Sequence, residues 1–309
     1  MIQIRNNKII SFINVIPKIG FINVISIVLY KMMTVPFIGK KIFRLYTFRI
    51  NKPFQASENT NSNEIKNKNL VDYANLIMSG EINYFSFHKK KIHNPPDWFH
   101  NPFNKTEYAD KTKHFTELKD FNSDYGDIKN IWDLSRLDFL GTLAIAYKQT
   151  NDKKYLEFMN NWTTNWCEMN PLNIGPNWKC GQEASIRVIN IFIANEISSP
   201  NNYSEDILIL FSKHIERVIK TVLYAKAQDN NHGLSEGVAL YIIGGVLYGQ
   251  TKKHKYYRAH KKGLKLIENR VKKLILSDGT FSQYSTVYHR MVIDQLSIIE
   301  FFRNEKGFL

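Results

Sequence analysis

The 309-residue chain contains only two cysteines, Cys167 and Cys180. Two thiols flanking a loop could form one bond but make no disulfide framework, so a core must hold the fold. No C-x-x-C occurs, which argues against thiolate zinc sites and dithiol redox chemistry. No metal and no cofactor are expected. Long clean apolar runs are missing too. Residues 9–30 are apolar-rich, but Asn14, Lys18, Asn23 and Ser26 interrupt them and Pro17 breaks them. The cleanest part, residues 19–30, is too short to span a bilayer. No small-residue cleavage site follows it, since Lys31, Met32 and Met33 come next, so no secretory signal is legible and a cytoplasmic location is favoured. The segment is expected to pack on the main domain as a pair of amphipathic helices. An interfacial membrane segment with lysines at its rim is the less favoured alternative. Acidic residues are also short: 28 Asp and Glu face 42 Lys and Arg, a net charge of +14. That balance favours an anionic partner, whether nucleic acid, membrane surface or acidic polymer. Runs such as Lys89-Lys90-Lys91 suit a plain solvated surface equally well.

Other features are abundant. With 43% hydrophobic and 23% charged residues the chain is a folded globular protein. Aromatics at 13% can fill a core or line a groove for sugars or bases. Residues 51–68 read as a linker, polar throughout 57–64, and divide an N-terminal helical segment (1–68) from a main domain (69–309). A short helix is predicted over 71–78, an extended arm over 81–87, and a proline-punctuated aromatic loop over 94–103. From Trp132 the apolar period becomes helical. Helices are predicted over 136–149, 154–166, 182–196, 206–227, 238–248, 254–276 and 285–302. On the first of these, Leu137, Leu140, Leu143, Ala144 and Tyr147 share a face. Tight turns alternate with longer polar loops, a rhythm of stacked helical hairpins. The expected fold is mainly α, with the longer loops lining a cleft at one end.

The chain is organised around residues 229–237, between two predicted helices. The stretch holds Asn230, Asn231, His232, Gly233, Ser235, Glu236 and Gly237. As a plain junction, Gly233 would cap the preceding helix and Ser235 or Asn231 the following one. That reading leaves the adjacent Asn231 and His232 unexplained, and helix junctions are where side chains converge on ligands. Two more polar junctions accompany it. Trp178 precedes Glu183 and Arg187, whose i, i+4 spacing suits an ordinary ion pair. Residues 278–290 end one helix and begin another, with Ser285 as N-cap placing Tyr288 and His289 in the first turn.

In order, these stretches are Trp132 to Arg136, Asn177 to Arg187, Asn230 to Gly237 and Asp278 to Arg290. Together they resemble the motifs of the heparinase II/III-like polysaccharide lyases over roughly residues 70–303, the last two being the specific ones. The resemblance implies an incomplete (α/α) toroid of antiparallel helix hairpins and β-elimination on a uronate-containing acidic polysaccharide. It implies Asn231 as the contact of the substrate carboxylate, His232 as an active-site residue and Tyr288 as catalytic acid or base. The remaining motif positions, Trp178, Glu183, Arg187, Glu236, Gln283 and His289, are expected to bind substrate. Gln283 stands where many relatives carry Glu. The chain ends at Leu309, before the β-sandwich domain that usually follows. A glycan-binding or polysaccharide-processing relative without turnover is therefore the alternative. A helical nucleic-acid binder rests on charge and aromatics alone; no motif supports it, and no nucleic-acid partner is expected.

Overall fold

The computed structural model describes residues 17, 19–57, 67–108, 110–119 and 125–306. Half of the expected linker, residues 58–66, lies outside them. The protein is mainly α. Helices α1 (Phe21–Met33) and α2 (Pro36–Ile42) precede α3 (Lys68–Met78). Two small hairpins follow: β1 (Glu81–Tyr84) with β2 (His88–Lys91), and β3 (His100–Asn101) with β4 (Thr106–Glu107). Then come α4 (Lys129–Ser135), α5 (Phe139–Thr150), α6 (Lys154–Met169), α7 (Gly181–Ser198), α8 (Glu205–Ile219) and α9 (Val222–Ala227). The long helices α10 (Asn231–Thr251), α11 (His254–Leu274) and α12 (Thr286–Lys306) close the chain.

Packing follows sequence order. Helices α5 and α6, α7 and α8, and α10 and α11 form hairpins, while α3, α5, α7, α10 and α12 lie side by side in a row. The row is the inner layer of an incomplete (α/α) toroid. Its sequences say why. Helix α10 is apolar nearly all round, from Leu234 through Leu247, and is buried on every side. Helix α11 instead buries one stripe, Tyr256, Ala259, Gly263, Leu266, Ile267 and Leu274, and turns most of its lysines outward, Lys262 being half-buried. The expected α5 face is buried in full, each of its five residues being at most 2% exposed.

At Gly263 the α10 and α11 backbones touch: a Cβ there would meet the Tyr241 amide nitrogen at 2.4 Å and the Gly237 carbonyl oxygen at 2.7 Å. Gly263→Ala must push the two helices apart. We expect a loss of about 1–3 kcal/mol in chemical denaturation; unchanged stability would mean that this hairpin yields at no cost.

Several boundaries differ from the sequence reading. The helix predicted over 206–227 is two, α8 and α9, broken around Lys220-Thr221. The helix predicted from 136 begins at Phe139, because Leu137 adopts a left-handed φ of 57° and separates α4 from α5. The central stretch is not a loop. Asn231 opens α10, and the N-cap is Asn230, whose side chain accepts the His232 amide at 3.0 Å. Gly233 therefore lies inside the helix and caps nothing; it packs against Arg270. Cys167 is buried on α6 and Cys180 is half-buried before α7, and both are free thiols. The start of the expected linker is firmly attached: Phe54 is buried, and its backbone exchanges hydrogen bonds with the Asn160 side chain at 2.8 and 3.0 Å.

The N-terminal helices touch the main domain, but not as the expected amphipathic pair: no residue of α1 is buried and its apolar face is left exposed. Tyr30 of α1 stacks on Tyr224 of α9 at 3.9 Å with the rings 9° from parallel. Asn23 donates to Asp229 at 3.0 Å.

Candidate functional site

The site is built on a short 3₁₀ turn, Pro176–Trp178, that leads into α7. Three donors pin its carbonyls. Trp132 Nε1 reaches Pro176 O at 2.8 Å, Arg187 Nη2 reaches Asn177 O at 2.8 Å, and Arg217 Nε reaches Trp178 O at 2.9 Å. Arg217 also donates to Lys179 O at 3.0 Å and Thr221 Oγ1 at 3.1 Å. Buried guanidiniums satisfied this way act as scaffold as much as charge. Just beyond the turn, Gly181 lets α10 come close: a Cβ there would stand 2.3 Å from Glu236 Oε1. Any larger residue would displace that carboxyl.

The result is a cavity of about 510 Å³ beside the first turns of α7 and α10. Cys180, His232 and Glu236 line it from the toroid, Tyr224 from α9, and Tyr30 and Thr34 from the N-terminal segment. His232 and Glu236 are four residues apart in the first two turns of α10, so they share one face. Burial lowers the His232 pKa, and the Glu183 carboxylate offsets part of that; the imidazole is neutral at pH 7. Burial also pushes Glu236 up to about 8, against the pull of Arg217 and Lys262. Its carboxyl is mostly protonated at neutral pH, and Oε2 has no partner among the described residues. The Cys180 thiol lies 3.9 Å from His232 Nδ1. Burial, with Glu183 and Glu236 adding to it, raises that thiol to about 12, so it is no thiolate nucleophile. Tyr30 is likewise raised by burial to about 12 and remains a phenol. Among the described residues no three His, Cys, Asp or Glu side chains come together to hold a metal.

The Glu236 shift has a stability consequence with a definite sign. Its folded pKa lies above the value of an exposed Glu, so the folded state binds the proton more tightly. Stability is highest below the unfolded pKa and falls as pH rises toward about 8. Glu236→Gln removes this dependence. Relative to the variant, the wild type should lose roughly 4 kcal/mol between pH 5 and pH 9 in urea unfolding. Parallel pH curves for the two proteins would place Glu236 in water.

The other motif residues divide. Gln283 Oε1 accepts the Asn231 amide at 2.9 Å, which ties the loop before α12 to the start of α10. Asn231 itself is buried beside it. Glu183 is buried and receives Arg136 Nε at 2.7 Å and Nη2 at 2.9 Å. The partner of Glu183 is thus Arg136, not the expected Arg187. Two expected substrate contacts are enclosed instead. Trp178 is 0% exposed, with Nε1 on Asn170 O at 3.0 Å, and Arg187 is 0% exposed, stacked 4.3 Å from the Trp166 ring centroid. Neither lines the cavity, and both hold the turn. Tyr288 and His289 sit in the first turn of α12, capped by Ser285, whose Oγ accepts the Tyr288 amide at 3.3 Å. Tyr288 is 40% exposed and His289 stacks on Phe281 at 5.9 Å, and neither lines the cavity.

Sequence reasoning missed Tyr30, Tyr224, Cys180 and Arg217. Only contact across the fold identifies them, since each stands alone in an unremarkable helical or loop segment.

A row of antiparallel helical hairpins packed side by side is the architecture of the (α/α) toroid proteins. Within that class, the chain belongs to the heparinase II/III family: the family described as Heparinase II/III N-terminus matches residues 40–307. It is 25% identical over 195 residues to a heparin-sulfate lyase from Pedobacter heparinus, covering 59% of this chain. The chain spans only 28% of that relative's length in the match. A solved structure, a mutant of the heparan sulfate lyase HepC from the same organism, superposes with a TM-score of 0.49 at 16% identity. That match covers 78% of this chain and 36% of the other.

Proposed function

We propose that the cavity beside His232 and Glu236 takes a uronate unit of an acidic polysaccharide and supports its β-elimination. One observation carries this reading: a neutral imidazole and a protonated carboxyl face the same cavity from one side of α10. The reaction removes the proton on the carbon next to the uronate carboxylate, forms a carbon–carbon double bond and expels the glycosidic oxygen. That proton is only weakly acidic while the carboxylate keeps its charge. A protonated Glu236 can donate to the carboxylate, and Asn231, at the head of the same helix but outside the cavity lining, is the proposed amide contact, so charge building up in the transition state is stabilised. Neutral His232 has a free base function for the proton. Tyr288, on the flank, is the proposed donor to the leaving oxygen. The N-terminal ends of α7 and α10 and the buried Arg217 favour an anion in the cavity.

The test is absorbance at the enone band while the protein is incubated with a panel of uronate polysaccharides. A rise that Tyr288→Phe abolishes, with binding retained, fits the proposal. A rise that Tyr288→Phe leaves intact and Tyr30→Phe abolishes moves the acid to the cavity itself. Binding with no rise on any polymer would favour the second reading, glycan recognition without turnover, which the place of Tyr288 outside the cavity lining supports.

A further inference from the structure

Helix α1 is inverted relative to an ordinary surface helix. Its polar residue Asn23 turns inward to Asp229, and Tyr30 turns inward to Tyr224. The face left to solvent is apolar: Phe21, Ile22, Ile25, Leu29 and Met32 are each at least 42% exposed. These positions recur every three to four residues and form one stripe. Helix α2 continues it after a bend of 90°, with Phe37 72% exposed and Ile38 beside it. No single helix among the described residues is long and apolar enough to cross a membrane. A soluble monomer rarely leaves such a stripe uncovered.

Charge says what covers it. The first 57 positions hold nine Lys and Arg and not one Asp or Glu. Lys31 and Arg44 are exposed, and Lys41 lies 4.1 Å over the Phe37 ring. Lys40 is paired with Glu117 at 2.8 Å, and the remaining cations beside the apolar strip match the acyl–headgroup boundary of an anionic bilayer.

We propose that α1 and α2 form an interfacial anchor that lies in the surface of an anionic lipid bilayer without crossing it. The anchor holds the toroid with its cavity mouth close to the lipid, because Tyr30, Lys31 and Thr34 belong to both structures. This goes beyond the elimination reading and does not depend on it.

The experiment is cosedimentation of the full chain with vesicles of phosphatidylcholine and phosphatidylglycerol, against phosphatidylcholine alone. The comparison protein is the triple variant Ile22→Ser, Leu29→Ser, Phe37→Ser, whose side chains avoid the cavity, with its melting curve confirming that it folds. Wild type should partition onto the anionic vesicles, less at high salt, and the variant ~10-fold less or lower. Absence of partition onto either vesicle, or equal partition by the variant, would overturn the proposal. So would self-association in lipid-free solution that the triple variant abolishes, because the stripe would then belong to a second copy.

Discussion

Replacing His232 by Gln is expected to slow elimination ~10²–10⁴-fold, the usual worth of a positioned general base. Glutamine keeps a polar side chain of similar reach but cannot take a proton. The burial that lowers the His232 pKa also keeps the base form populated down to mildly acidic pH, so the acid limb of the wild-type pH–rate profile should lie below the ordinary histidine range. The second limb is expected near pH 8, where Glu236 loses its proton and with it the donor to the uronate carboxylate. Glu236→Gln should erase that alkaline limb while preserving some activity, since an amide still donates. A His232→Gln protein as fast as wild type would remove the imidazole from the chemistry and leave it a packing role beside Cys180.

The largest stability effect is expected at Arg136. Its guanidinium gives Glu183 two hydrogen bonds, at 2.7 and 2.9 Å, and Asp133 a third at 3.1 Å. Arg136→Ala leaves the Glu183 carboxylate, 5% exposed, without its partner. Breaking a buried pair on one side costs about 3–5 kcal/mol, far more than the net worth of the pair. Arg136→Met with Glu183→Gln should recover most of it, because no charge is stranded. Urea unfolding of the four proteins in the cycle measures this. A single-mutant loss below about 1 kcal/mol would mean that water reaches Glu183 freely.

What the sequence made legible was whatever repeats or sits next to itself. The apolar period placed the hairpins, and the resemblance of the ordered motifs to a known family implied the toroid. Adjacent polar residues marked Asn231, His232 and Glu236. Periodicity could not reveal that Asn231 begins a helix, since Gly233 and Gly237 weaken every local helix signal in that stretch. Tertiary packing overrides them: Arg270 and Ile267 of α11 fill the space where side chains would be. Nor does the pattern Glu183–Arg187 reveal its partners. Arg187 turns into the Trp166–Trp178 cluster, and Arg136 arrives from 47 positions away to take the carboxylate. Long-range pairings of this kind, like the stacking of Tyr30 on Tyr224, are decided by the folded row of helices.

That stack carries a thermodynamic obligation. Tyr30 and Thr34 belong to the cavity lining and to the N-terminal segment at once. Occupancy of the cavity and seating of α1 are therefore linked equilibria. Whatever binds against Tyr30 stabilises the seated helix by its difference in affinity for the seated and unseated forms, and whatever lifts the helix weakens that ligand by the same factor. The N-terminal segment is in this sense a second ligand of the toroid, covalently attached and present at fixed effective concentration.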